Sequence, residues 1–88
     1  MAVKVISYDL NAPGQDYEPL YKEIRSFPGY CLAMDSVWLV STEKSCQGVF
    51  DKLKQHIDDD DFLLVNVLSG YRQGWLKKSV WEWIKKHE

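Results

Sequence analysis

Asp9 is the first residue whose type and place could do chemistry. It closes the apolar run Val3–Tyr8 and opens onto Leu10-Asn11-Ala12-Pro13-Gly14. A carboxylate at a strand end offers hard oxygen ligands to a divalent cation such as Mg2+. A metal held there could activate a water for phosphodiester cleavage. In a homodimer whose twofold axis passes nearby, two copies of Asp9 could share one ion. The plainer role for Asp9 and Asn11 is to bond the loop backbone in Asx turns. The second candidate is a cluster near the C-terminus. Arg72, Lys77 and Lys78, with Lys85 and Lys86 beyond, are interleaved with Tyr71, Trp75 and Trp81. Cations beside exposed aromatics can hold phosphates while bases stack. The plainer reading is a solvated helix, packed onto the body through Trp83 and Ile84.

Other chemistries have little to build on. Cys31 and Cys46 are too few and too far apart for a disulfide framework. Neither His56 nor His87 is at zinc-ligand spacing from them. Asn11–Asp16 lacks the spacing of a phosphate-binding loop. Asp58–Asp61 lacks the glycine and the distant glutamate of an EF-hand. No hydroxyl lies at triad spacing from a histidine.

These candidates must be positioned by a short chain. It has 88 residues and a mass of 10.3 kDa, which is one domain. The net charge of −2 hides an asymmetry. Residues 1–69 hold six basic and eleven acidic side chains, and residues 70–88 hold five basic and two acidic ones. An acidic pI near 5.6 argues against a protein that coats nucleic acid over its whole surface. Four Trp and five Tyr are more than so small a core hides, which points to an interface or a binding surface. No apolar run is long enough for a signal peptide or a membrane span, so a cytoplasmic protein with reduced thiols is expected.

Periodicity yields the elements. VKVISYD at 3–9 reads as a strand. Asp16 is placed to cap a helix, and Pro19 suits its first turn. Tyr17, Leu20, Tyr21, Ile24 and Phe27 trace one face of that helix, and Pro28-Gly29 ends it. Two strands, about 30–34 and 36–41, join through a tight turn at Asp35-Ser36. Ser45 can cap a second helix with Cys46, Val49, Phe50, Leu53 and Ile57 on one face. FLLVNVL at 62–68 reads as a strand buried on both faces. Leu76, Val80, Trp83, Ile84 and His87 then outline a third helix.

The order βαββαβ predicts an α+β, ferredoxin-like core over 1–69 with a four-stranded antiparallel sheet. Residues 70–88 form a basic, Trp-rich loop and C-terminal helix. Both helices of the core are expected on one sheet face. The other face then seeks a partner, and a face-to-face homodimer would supply it.

Tyr8-Asp9-Leu10, closing the first strand, and Ser36-Val37-Trp38 at mid-chain carry a family resemblance. With YDLN and PGQDY near the start, residues 3–69 resemble the CRISPR-associated protein 2 superfamily, which includes virulence-associated protein D. The similarity is nearest to its small bacterial and phage members. The resemblance implies a ferredoxin-like homodimer. Some members are metal-dependent nucleases for RNA or double-stranded DNA, and others are non-catalytic partners. It also implies that Asp9 is a metal ligand, for Mg2+, at the dimer centre. Ser36 matches the mid-chain serine of the family and joins Asp9 as a candidate catalytic residue. Here Met34-Asp35 precedes that serine, where the family has basic and glutamine residues. A helix is expected where the family commonly adds an edge strand.

Overall fold

The structure, a computed structural model, describes residues 2–88. Seven elements follow in the expected order: β1 (Ala2–Asp9), α1 (Glu18–Ile24), β2 (Gly29–Met34), β3 (Val37–Thr42), α2 (Cys46–Lys54), β4 (Phe62–Val67) and α3 (Lys78–His87). The strands form one antiparallel sheet in the order β2-β3-β1-β4. That order places β3 between β1 and β2, as a split βαβ unit requires, and is compatible with a ferredoxin-like core.

The alternation of β1 divides the core in two. Ile6 faces α1 and α2, where it meets Leu20, Ile24, Val40, Val49 and Leu53, all fully buried. Val3 faces the other way and meets Leu39, Ala33, Val80 and Ile84. The second group corrects one expectation. The face read as open to a partner is covered in part by the chain's own α3, seated through Val80 and Ile84. Leu76 joins this cluster from just before α3.

A further correction concerns β4. It is not buried on both faces: Phe62, Leu64 and Val67 are 65%, 63% and 53% exposed. Leu63 and Val65 pack against the α1/α2 side. Phe62 and Leu64 lie on the α3 side of the sheet, opposite Asp9 and Ser7 of β1. α3 seats on Ala33 of β2, Leu39 of β3 and Val3 of β1, which leaves this corner uncovered.

Local signals explain most boundaries. The Ser45 hydroxyl accepts from the Gly48 N–H at 3.0 Å and starts α2. Pro19 sits in the first turn of α1, where its missing N–H is harmless. Tyr17, not Asp16, is the N-cap of α1, and Asp16 instead accepts from the Glu18 N–H at 3.0 Å. The helices α1 and α2 end three residues short of the periodic faces traced through Phe27 and Ile57. Both side chains still pack on the first cluster from the turns that follow.

Candidate functional site

The fold brings Asp9 and Ser36 to the same end of the sheet. The β2–β3 hairpin turns through Asp35-Ser36, and Met34 pairs with Val37 across it. Ser36 takes a positive φ of 64°, the left-handed conformation a tight hairpin turn demands. Its carbonyl accepts from the Tyr8 N–H at 3.1 Å, one residue before Asp9. Asp9 is exposed and takes part in no ion pair among the described residues. It shares its sheet face with Ser7, Phe62 and Leu64. One free carboxylate therefore stands beside an exposed apolar strip.

The loop after Asp9 is held by a residue that sequence reasoning placed in a plain acidic connection. Asp61 is buried. Its Oδ1 accepts from the Asn11 N–H and from the Tyr17 hydroxyl, each at 2.7 Å, and its Oδ2 accepts from the Asp58 N–H at 2.8 Å. The Tyr17 hydroxyl accepts in turn from the Ala12 N–H at 3.1 Å. Asn11 Nδ2 donates to the carbonyls of Asp9 and Asp60. Burial pushes the Asp61 carboxyl up, but these donated hydrogen bonds outweigh it and hold the group below the ordinary carboxylate range. Burial, then the bond to Asp61, raises the Tyr17 phenol. The Asn-Ala-Pro-Gly-Gln loop is thus pinned at both ends, and Asp9 projects from a fixed base.

A second cluster lies between α1 and α2. Glu23 Oε1 lies 3.1 Å from His56 Nε2, and Oε2 lies 3.4 Å from Lys52 Nζ and accepts from Ser26 Oγ at 3.2 Å. The His56 contact does most to lower the Glu23 carboxyl; burial opposes it, and Ser26 and Lys52 assist. Among the described residues no hydroxyl reaches the His56 ring, so the arrangement braces the two helices and does not form a nucleophile–base pair.

The C-terminal cluster divides. Arg72 Nη1 donates to the Ser69 carbonyl at 2.9 Å and Nη2 to Glu88 Oε1 at 2.7 Å, so its guanidinium closes the strap 69–77 onto the end of α3. Trp81 is half-buried in the second core group, with its ring about 4 Å from the point where a Cβ on Gly74 would stand. Both act as internal fastenings. Trp75 and Tyr71 are 99% exposed, and Lys77 and Lys78 are exposed beside Trp75. Trp75 and Lys77 line a shallow hollow of ≈360 Å³ with Leu32, Met34, Asp35 and Leu76.

Among the described residues no group of three or more His, Cys, Asp or Glu side chains is placed to hold a metal ion. No helix there is long and apolar enough to cross a membrane. Comparison with family models, curated proteins and solved structures returned no match.

Proposed function

We propose that the chain is a homodimeric, nucleic-acid-associated binding protein that engages single-stranded RNA or DNA through the strap and the start of α3. The observation that carries this reading is the full exposure of Trp75 beside two exposed lysines. A large aromatic ring held wholly in water gains nothing for the fold, and a stacked base would cover it. Lys77 and Lys78 then neutralise phosphates, and the acidic body limits contact to this region. Arg72 and Trp81 act indirectly, by holding the strap in place. The resemblance to the CRISPR-associated protein 2 superfamily, whose members include non-catalytic partners, is consistent with it. The test is a titration of a labelled single strand at several salt concentrations. Lys77→Glu with Lys78→Glu should weaken binding and flatten its salt dependence. An unchanged slope would reject the reading.

A second reading is favoured by Asp9, exposed at a strand end with Ser36 held beside its strand. One carboxylate per chain is too few for a divalent ion. A Mg2+ site therefore fits only if two chains meet across the corner of Asp9, Phe62 and Leu64 that α3 leaves open. Such a face-to-face dimer would be a metal-dependent nuclease for RNA or double-stranded DNA, with the ion activating water. Asp9 would hold the ion. Ser36 would lie near the bound phosphate. The assay is magnesium-dependent cleavage by wild type and Asp9→Asn. Cleavage that survives in the variant rejects this second reading.

A further inference from the structure

β4 is an edge strand, bonded to β1 alone. Which of its backbone groups point outward follows from two bonds. The Leu68 N–H donates to the Val3 carbonyl, and the Tyr8 N–H donates to the Ser36 carbonyl beyond β3. Odd-numbered residues of β1 thus bond β4, and even-numbered ones bond β3. Across the ladder, Phe62, Leu64 and Asn66 turn their backbone groups to β1. Leu63, Val65 and Val67 turn theirs outward. Among the described residues these outward groups have no backbone partner, and only the Val67 carbonyl has a contact, at 3.4 Å from the Asn66 side chain.

Edges of this kind are usually blunted by a charge, a proline or a bulge. FLLVNV has no charge and no proline, and its register with β1 is regular throughout. The opposite edge, β2, is interrupted by a register shift between Leu32 and Met34. Two hollows of ≈350 and ≈230 Å³ run beside β4 under α2 and share Phe50 and Leu63. The surface is a trough with an open ladder along it, and an extended strand fits both.

We propose that this occupant is β4 of a second copy, paired antiparallel across a twofold axis at Val65, so that two sheets join into one. Self-complementarity is the first argument. With Val65 opposite Val65 of the second copy, Leu63 falls opposite Val67 of the second copy and the reverse. Every outward N–H and C=O then meets a partner. In the same register Leu64 lies opposite Asn66 of the second copy, and Phe62 opposite Leu68 of the second copy, so the three exposed apolar side chains are covered. Charge is the second argument. The exposed acidic turn Asp58–Asp60 precedes β4, and Gly70–Arg72 follows it. Antiparallel pairing sets the acidic turns of the two copies at opposite ends of the joined strands. Parallel pairing would bring two acidic turns together.

The homodimer of the first functional reading takes its interface from this pairing; nucleic-acid binding by the strap does not depend on it. Two β4 strands then separate the β1 strands by about 14 Å across the sheet. The two Asp9 carboxylates cannot share an ion in this dimer, so it is an alternative to the face-to-face assembly.

The test combines light scattering with amide hydrogen exchange on the full chain. The expected result is a species of twice 10.3 kDa, in which the Leu63, Val65 and Val67 amides are protected although they have no acceptor among the described residues of their own chain. Val67→Pro removes one outward N–H from an exposed edge position and should yield a monomer with the same circular dichroism. If that variant fails to fold, exchange in the wild type decides alone. A dimer whose three amides exchange freely overturns the proposal in favour of another interface. A monomer at every concentration overturns it and leaves the edge to an extended segment of a different protein. Oligonucleotide titration of the same samples reads the functional proposal separately.

Discussion

Asp61 shows how one buried carboxylate fixes the neighbourhood of another that is free. Its three donors come from 11, 17 and 58, so it ties the loop after β1 to the turn before β4. The folded chain holds Asp61 and Glu23 below the ordinary carboxylate range of about 4. The unfolded chain therefore takes up these protons more readily. Their contribution to stability is present at neutral pH and is lost as pH falls from about 4 through the lower folded values. Asp61→Asn should lower the urea midpoint at pH 7, and the gap to wild type should close as the pH is brought below that range. A gap that persists unchanged into acid would show that the carboxylate charge is not what matters. Little of this was legible in advance. The four aspartates read as a repelling loop, because nothing local distinguishes Asp61 from Asp58. Two of its three donors lie 44 and 50 residues away in sequence, and only the pairing of β4 with β1 brings them near.

At the scale of elements, local chemistry and tertiary packing divide the work. The Ser45 cap, Pro19 in α1 and the Asp35-Ser36 turn were all readable, since each solves a backbone problem within four residues. Ser45→Ala should cost about 1 kcal/mol, seen as a shift in the denaturation midpoint without loss of fold. The docking site of α3 was not readable. Its periodicity announces an apolar stripe of Val80 and Ile84, but the stripe does not say which surface receives it. The answer lies in Val3, Leu39 and Ala33 on the far sheet face. Ile84→Ala should therefore cost about 2–5 kcal/mol and increase hydrogen exchange in α3 ahead of the sheet. If Ile84→Ala behaved like a surface substitution, the seat of α3 on the sheet would be refuted. The same packing explains why 62–68 misled. A continuous apolar run fits a strand covered on both faces, yet α3 lies over β2, β3 and β1 and leaves Phe62 and Leu64 in water.

On the scale of the molecule, exposed apolar side chains lie along β2 at Tyr30, Leu32 and Met34, at β4 and on the strap, and the last two places differ in chemistry. The edge and corner at β4 offer unpaired backbone and aliphatic side chains, which suit a protein strand. The strap offers a free indole followed by two exposed lysines, which suits a base and its phosphates. Of the residues singled out in sequence, Trp75, Lys77 and Lys78 form one exposed group, whereas Arg72 and Trp81 hold the strap from within. That division was invisible to composition, because Arg72 meets Glu88 only once α3 has folded back. The most direct measurement is the affinity of the full chain for a short labelled single-stranded oligonucleotide, wild type beside Trp75→Ala, at fixed low salt. Loss of one stacked base predicts a fall of roughly 5- to 150-fold, as for 1–3 kcal/mol, with the urea midpoint unchanged. Equal affinity of the two proteins, or no binding by either, would contradict the assignment of the strap as a nucleic-acid surface.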